Sequence, residues 1–232
     1  MRNFIVWDLL NRIENSPEEY IVQRKVSLLE SFQFGYEFFY LKIENLEELE
    51  RRYAEIPSLQ EYAMTKYNAH NIGSRNYKSI LSFISEDERD FYNNYLNFLK
   101  EYESQFSIKE PVNYILVEKP ENMLKDVLLG MQQRFLMYFN DYSLADFRAF
   151  LDGYFCCKKD YCIPLTPFDK KLKEFTESIT CETLNLTGEF VTWDRKYRFS
   201  RSWYAWGEIT DTHAQHMLLQ FWKDLEEFTQ ET

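Results

Sequence analysis

A chain of 232 residues with 45 % hydrophobic and 18 % aromatic content carries enough apolar surface to bury a core and is no disordered polymer. Its 38 acidic against 27 basic side chains give a formal charge of −11, which opposes contact with nucleic acid or an anionic membrane and either attracts a basic partner or, more commonly, just keeps a protein soluble. With only 6 glycines and 6 prolines, turn formers are too few for a many-stranded sandwich or barrel, and the expected fold is mainly α.

From the N-terminus, Val6, Leu9, Leu10 and Ile13 share one face of a short helix over Phe4 to Glu14. Asp8 interrupts the apolar run and no small-residue cleavage site follows, so no leader peptide is expected. No stretch approaches the ~20 apolar residues of a membrane span. Ser16-Pro17-Glu18-Glu19 has the chemistry of a helix start, and predicts a helix carrying Ile21, Val26, Leu29 and Phe32 toward Gly35-Tyr36. Gly35 marks either a close backbone approach or a kink. The charge-dense stretch Glu44 to Glu55 reads by default as a solvated helical face, with a partner-binding face as the sharper alternative. Pro57-Ser58 opens a short helix through Tyr67, and Ser74 to Phe83 forms another. Ser85-Glu86-Asp87-Glu88 has the form of a capping box, with Ser85 as N-cap of a helix to Tyr102.

The run Val112 to Val117 is a strand or a buried helical turn. Leu124, Leu128, Met131, Phe135 and Tyr138 form one helical stripe, which Asn140-Asp141 ends. Ser143 caps the next helix, bearing Leu144, Phe147, Phe150 and Leu151 toward Gly153. Pro164 and Pro167 bound a loop before a helix from Phe168 to Ile179. Val191, Trp193, Tyr197 and Phe199 alternate as in a short β segment near 189–199, and Thr210 caps the last helix.

The chain also repeats itself. Phe32-x-x-Gly35-Tyr36 recurs as Phe150-x-x-Gly153-Tyr154, 118 positions later. Phe91, Tyr95, Phe98 and Tyr102 match Ala214, Leu218, Phe221 and Leu225 at a constant offset of 123. Two related helical units in tandem follow, 1–105 and 141–232, joined by a connecting segment and helix at 106–140. Phe98, Leu99, Phe221 and Leu225 are expected in the core.

Catalytic chemistry leaves little trace. Cys156, Cys157, Cys162 and Cys181 form no disulfide framework and read as free thiols in a reducing cytoplasm. His213 and His216 could join two of them at zinc, but Cys-Cys-x4-Cys lacks the usual clamp spacing, so no metal and no cofactor are expected. A Cys157–His213 nucleophile pair carries no local mark of activation. Carboxylates are too abundant to single out an acid/base pair, and no phosphate loop, GxSxG or HExxH occurs. The aromatics Trp193, Tyr197, Trp203, Tyr204 and Trp206 serve either as interface anchors or as core at the junction of the two units.

The repeated Phe-x-x-Gly-Tyr, the short aromatic helix at Trp203-Tyr204 and the acidic closing helix Phe221 to Phe228 together resemble the immunity proteins of bacterial polymorphic toxin systems. The resemblance implies an acidic cytoplasmic inhibitor, not an enzyme, that neutralises a cognate basic toxin domain by stoichiometric occlusion. The expected contact residues are Trp203, Tyr204 and Trp206 as anchors, with Glu86, Asp87 and Glu88 as steering charges. The alternatives are an adaptor or phage-type anti-defence protein, or a Cys/His-dependent enzyme.

Overall fold

Helical periodicity governs every long element of the structure, a computed structural model that describes residues 9–21, 24–43, 51, 54–69, 76–106, 123–139, 144–178 and 223. Its helices are α1 (Leu9–Asn15), α2 (Val26–Ile43), α3 (Leu59–Lys66), α4 (Tyr77–Phe83), α5 (Glu88–Phe106), α6 (Met123–Tyr138), α7 (Leu144–Asp160) and α8 (Pro167–Ser178), with no strand among the described residues. The fold is mainly α, as composition indicates. The segments 189–199 and 107–122, the second closing helix apart from Lys223, and the core candidates Phe221 and Leu225 lie outside the described residues.

The chain divides into two compact units, one of Met1–Glu118 with Ala149–Cys157 and one of Lys119–Arg148 with Lys158–Thr232. In the first, α5 buries Tyr92, Tyr95, Leu96, Phe98, Leu99 and Tyr102 along one face while Glu88, Arg89, Asn93, Asn97 and Glu101 stay exposed. That stripe receives α1 through Leu9, Leu10 and Ile13, and also packs against α2 and α4. Phe98 and Leu99 are core residues, as their positions on the stripe indicate.

The helix start expected at Ser16 is displaced. Pro17–Glu19 makes one turn of 3-10 helix, Ser16 forms no side-chain cap, and α2 begins only at Val26. A Ser-Pro-Glu-Glu signature satisfies one turn locally, and nothing in it obliges the helix to continue. From Val26, α2 runs unbroken past Gly35 to Ile43, so Gly35 is neither kink nor terminus.

The reason for Gly35 lies in Ala149–Cys157, the middle of α7. A Cβ on Gly35 would collide with the backbone carbonyl of Phe150, and a Cβ on Gly153 would collide with that of Phe32. The two helices cross with backbone against backbone, which only glycine allows. Flanking rings close the crossing: Phe34 and Phe38 stand 5.3 and 6.2 Å from Phe150, and Phe39 meets Tyr154 edge-on at 5.0 Å. Tyr36 and Tyr154 are fully buried beside their glycines.

In the second unit, α6 buries Leu124, Leu128 and Met131, and its backbone leaves helical geometry at Arg134 (φ −140°, ψ 44°). Phe139 packs edge-on to Phe147 at 6.3 Å. α7 ends in a Schellman turn: the Ile163 N–H donates to Lys158 O at 2.8 Å and the Cys162 N–H to Lys159 O at 3.1 Å, with Cys162 left-handed at φ 53°. α8 then opens on a reciprocal cap in which Asp169 N–H donates to Thr166 Oγ1 (3.1 Å) and Thr166 N–H to Asp169 Oδ2 (2.8 Å). The same Asp169 carboxylate holds the ammonium of Lys158 in a fully buried ion pair.

Candidate functional site

Of the proposed contact residues, the structure describes Glu86, Asp87 and Glu88; Trp203, Tyr204 and Trp206 lie outside the described residues. The three acids occupy the corner between α4 and α5, and all are exposed.

The corner is built differently from the capping box expected at Ser85. Asp87 is the N-cap: its Oδ1 accepts the Asp90 N–H at 2.8 Å, and Asp90 Oδ2 reaches back to the Glu86 N–H at 3.0 Å. Ser85 belongs to the end of α4, where its Oγ donates to Leu81 O at 2.7 Å and accepts from Asn94 Nδ2 at 3.0 Å. Aspartate caps as well as serine does, so a run of Ser-Glu-Asp-Glu-Arg-Asp offers two registers, and the one that lets Ser85 close α4 prevails. Asp87 is therefore committed to the fold, whereas the side chains of Glu86 and Glu88 hold no ion pair among the described residues.

α4 itself is set by Asn76, whose Oδ1 accepts the Ser79 N–H at 2.9 Å, and by burial of Ile80 and Leu81. That orientation turns Phe83 outward, 82 % exposed, with Ile84 46 % exposed next to it. Sequence reading passed over both. The available signal was position: two residues past Leu81 on a helix puts Phe83 on the opposite side from the buried stripe.

Nearby polar groups are engaged elsewhere. Tyr95 Oη donates to Glu30 Oε1 at 2.9 Å, Lys78 Nζ donates to Glu30 Oε2 at 2.9 Å, and Tyr77 Oη lies 3.4 Å from Tyr95 Oη. Burial, and then the Glu30 charge, push the Tyr95 phenol well above its usual value of 10.0. It keeps its proton at neutral pH, so the cluster is a satisfied network suited to holding α2, α4 and α5 together.

Cys157 is fully buried, Cys156 half-buried, and Cys162 exposed at the end of α7. Cys181, His213 and His216 lie outside the described residues, and among the described residues no group of three metal-ligating side chains converges. No described helix is long and apolar enough to cross a membrane.

The chain matches no family model, no curated protein and no solved structure.

Proposed function

We propose that this chain is a cytoplasmic binding protein that neutralises a cognate toxin or effector by stoichiometric occlusion, in the manner of an immunity protein. The reading rests on one observation above all: an exposed acidic corner at Glu86–Glu88 on a chain of formal charge −11. Such a surface draws a basic partner inward before contact and lets desolvated groups hold it afterwards. A basic toxin domain is the partner with matching chemistry, and occlusion needs no catalytic apparatus.

The experiment is capture of the partner from the native host, its identification by mass spectrometry, and titration of purified partner with purified chain. A one-to-one complex in which the partner's own activity is abolished supports the reading. Turnover of a substrate by the chain alone, lost in Cys157→Ser, replaces it with the enzyme alternative.

A further inference from the structure

The corner between α4 and α5 displays an aromatic ring as well as charge. Phe83 is 82 % exposed and Ile84 46 % exposed, followed at once by Glu86, Asp87 and Glu88. Single exposed apolar residues are ordinary; here two adjacent ones share a corner with carboxylates. The corner is held from both sides. Ile84 N–H donates to Ile80 O at 3.3 Å and Ser85 N–H to Ser82 O at 3.3 Å, while Asn94 Nδ2 donates to Ser85 Oγ at 3.0 Å and Asp87 caps α5. An aromatic presented by a pre-ordered backbone loses little freedom on binding, which is how interface anchors act.

We infer that Phe83, seconded by Ile84, is the apolar anchor of the acidic corner, and that its partner is a protein surface whose apolar pocket is rimmed by Lys and Arg. Charge selects this occupant. From Phe83 through Asp90 there are four carboxylates against the single guanidinium of Arg89. Anionic lipid and nucleic acid are repelled, and a second copy would bring like charge onto like charge. The inference rests on the reading of the chain as a binder of a basic protein, and moves its anchor from the Trp203–Trp206 segment to Phe83.

The test pans a displayed peptide library against the whole chain and measures the recovered peptides, synthesised singly. The expected peptides combine Lys or Arg with apolar residues. Phe83→Ser weakens them about tenfold or more while leaving the melting temperature unchanged, because the ring is exposed. Glu86→Lys with Glu88→Lys slows their association at low salt. If Phe83→Ser binds like wild type but the charge reversal still slows association, the anchor is wrong and the acid-steered reading stands. If neither substitution matters, both fail. A library yielding no binder, or only peptides without cations, also overturns the inference. So does a marked fall in melting temperature in Phe83→Ser, or a wild-type self-association that Phe83→Ser abolishes, which would make a second copy the occupant.

Discussion

Gly35 and Gly153 exchange roles across one helix crossing: each lies against the carbonyl of the phenylalanine three residues before the other. The repeat offset carries Phe32 onto Phe150 and Gly35 onto Gly153, so the two copies of the motif pack on one another with local two-fold character. Replacing glycine by alanine inside a helix ordinarily stabilises by about 1 kcal/mol. Here the added methyl meets backbone that cannot rotate away. Gly35→Ala and Gly153→Ala should each cost roughly 1–3 kcal/mol or more. Gly130→Ala is the control, since among the described residues its Cβ would meet only Tyr138 Oη at 3.4 Å, and it should be neutral to stabilising. Urea denaturation of the three variants checks the contrast. An equally stable Gly153→Ala would remove the crossing.

The Lys158–Asp169 pair is the second sensitive point, since neither side chain reaches solvent. Asp169→Asn removes the carboxylate charge that faces the buried Lys158 ammonium and should cost about 3–5 kcal/mol. Lys158→Met leaves a carboxylate that still accepts the Thr166 N–H at the start of α8, and should cost less. The double variant should recover much of the loss. A double-mutant cycle by chemical denaturation measures this, and additive losses would show that the two groups do not interact.

Cys162 sits in the left-handed region at φ 53° on the helix-terminating turn of α7. Glycine there removes a steric cost of roughly 1 kcal/mol and a β-branched residue enlarges it. Cys162→Gly should raise the melting temperature and Cys162→Val lower it, readable by thermal denaturation. The opposite order would mean that the thiol does more than end a helix.

Buried phenols set the alkaline limit of the first unit. Burial, followed by the Glu101 carboxylate, raises Tyr62 to about 12, and burial raises Tyr92 to about 12, against 10.0 for a free phenol. In the unfolded chain these groups ionise near 10.0, so the folded state holds protons that the unfolded state has released. Their stabilisation is complete below that pH and disappears as pH rises toward about 12. Tyrosinate absorbance should therefore rise in two parts, a gradual exposed fraction and a later cooperative step coincident with loss of helical circular dichroism. Smooth ionisation of all tyrosines with helix intact would contradict this.

Much of this architecture was legible because helical periodicity is strong. The Phe98-Leu99 stripe of α5 and the Leu124-Leu128-Met131 part of the α6 stripe follow from spacing alone, whereas Tyr138, expected on the same stripe, is exposed beyond the break at Arg134. Gly35 and Gly153 were recognisable as paired positions, though not as touching ones, since spacing does not say which elements cross. Element starts were less legible. Ser16-Pro17 and Ser85 each carry the correct local chemistry, yet Asp87 competes with Ser85 on equal terms, and the 3-10 turn at Pro17 satisfies its own signature. Cys162 gave no sign of positive φ by residue type, although Pro164, two residues on, marks the end of α7. The outward turn of Phe83 depends on which face of a seven-residue helix is buried, and tertiary packing decides that.

The most direct measurement is the association rate of the captured partner with wild type and with Glu86→Lys/Glu88→Lys, by stopped flow over a range of salt. These two acids supply half of the corner's carboxylates without capping α5, so their reversal spares the caps made by Asp87 and Asp90. Wild type should associate about tenfold faster at low salt, with the two rates converging as salt rises. Equal rates at every salt concentration would contradict the assignment of this corner as the surface that meets a basic partner.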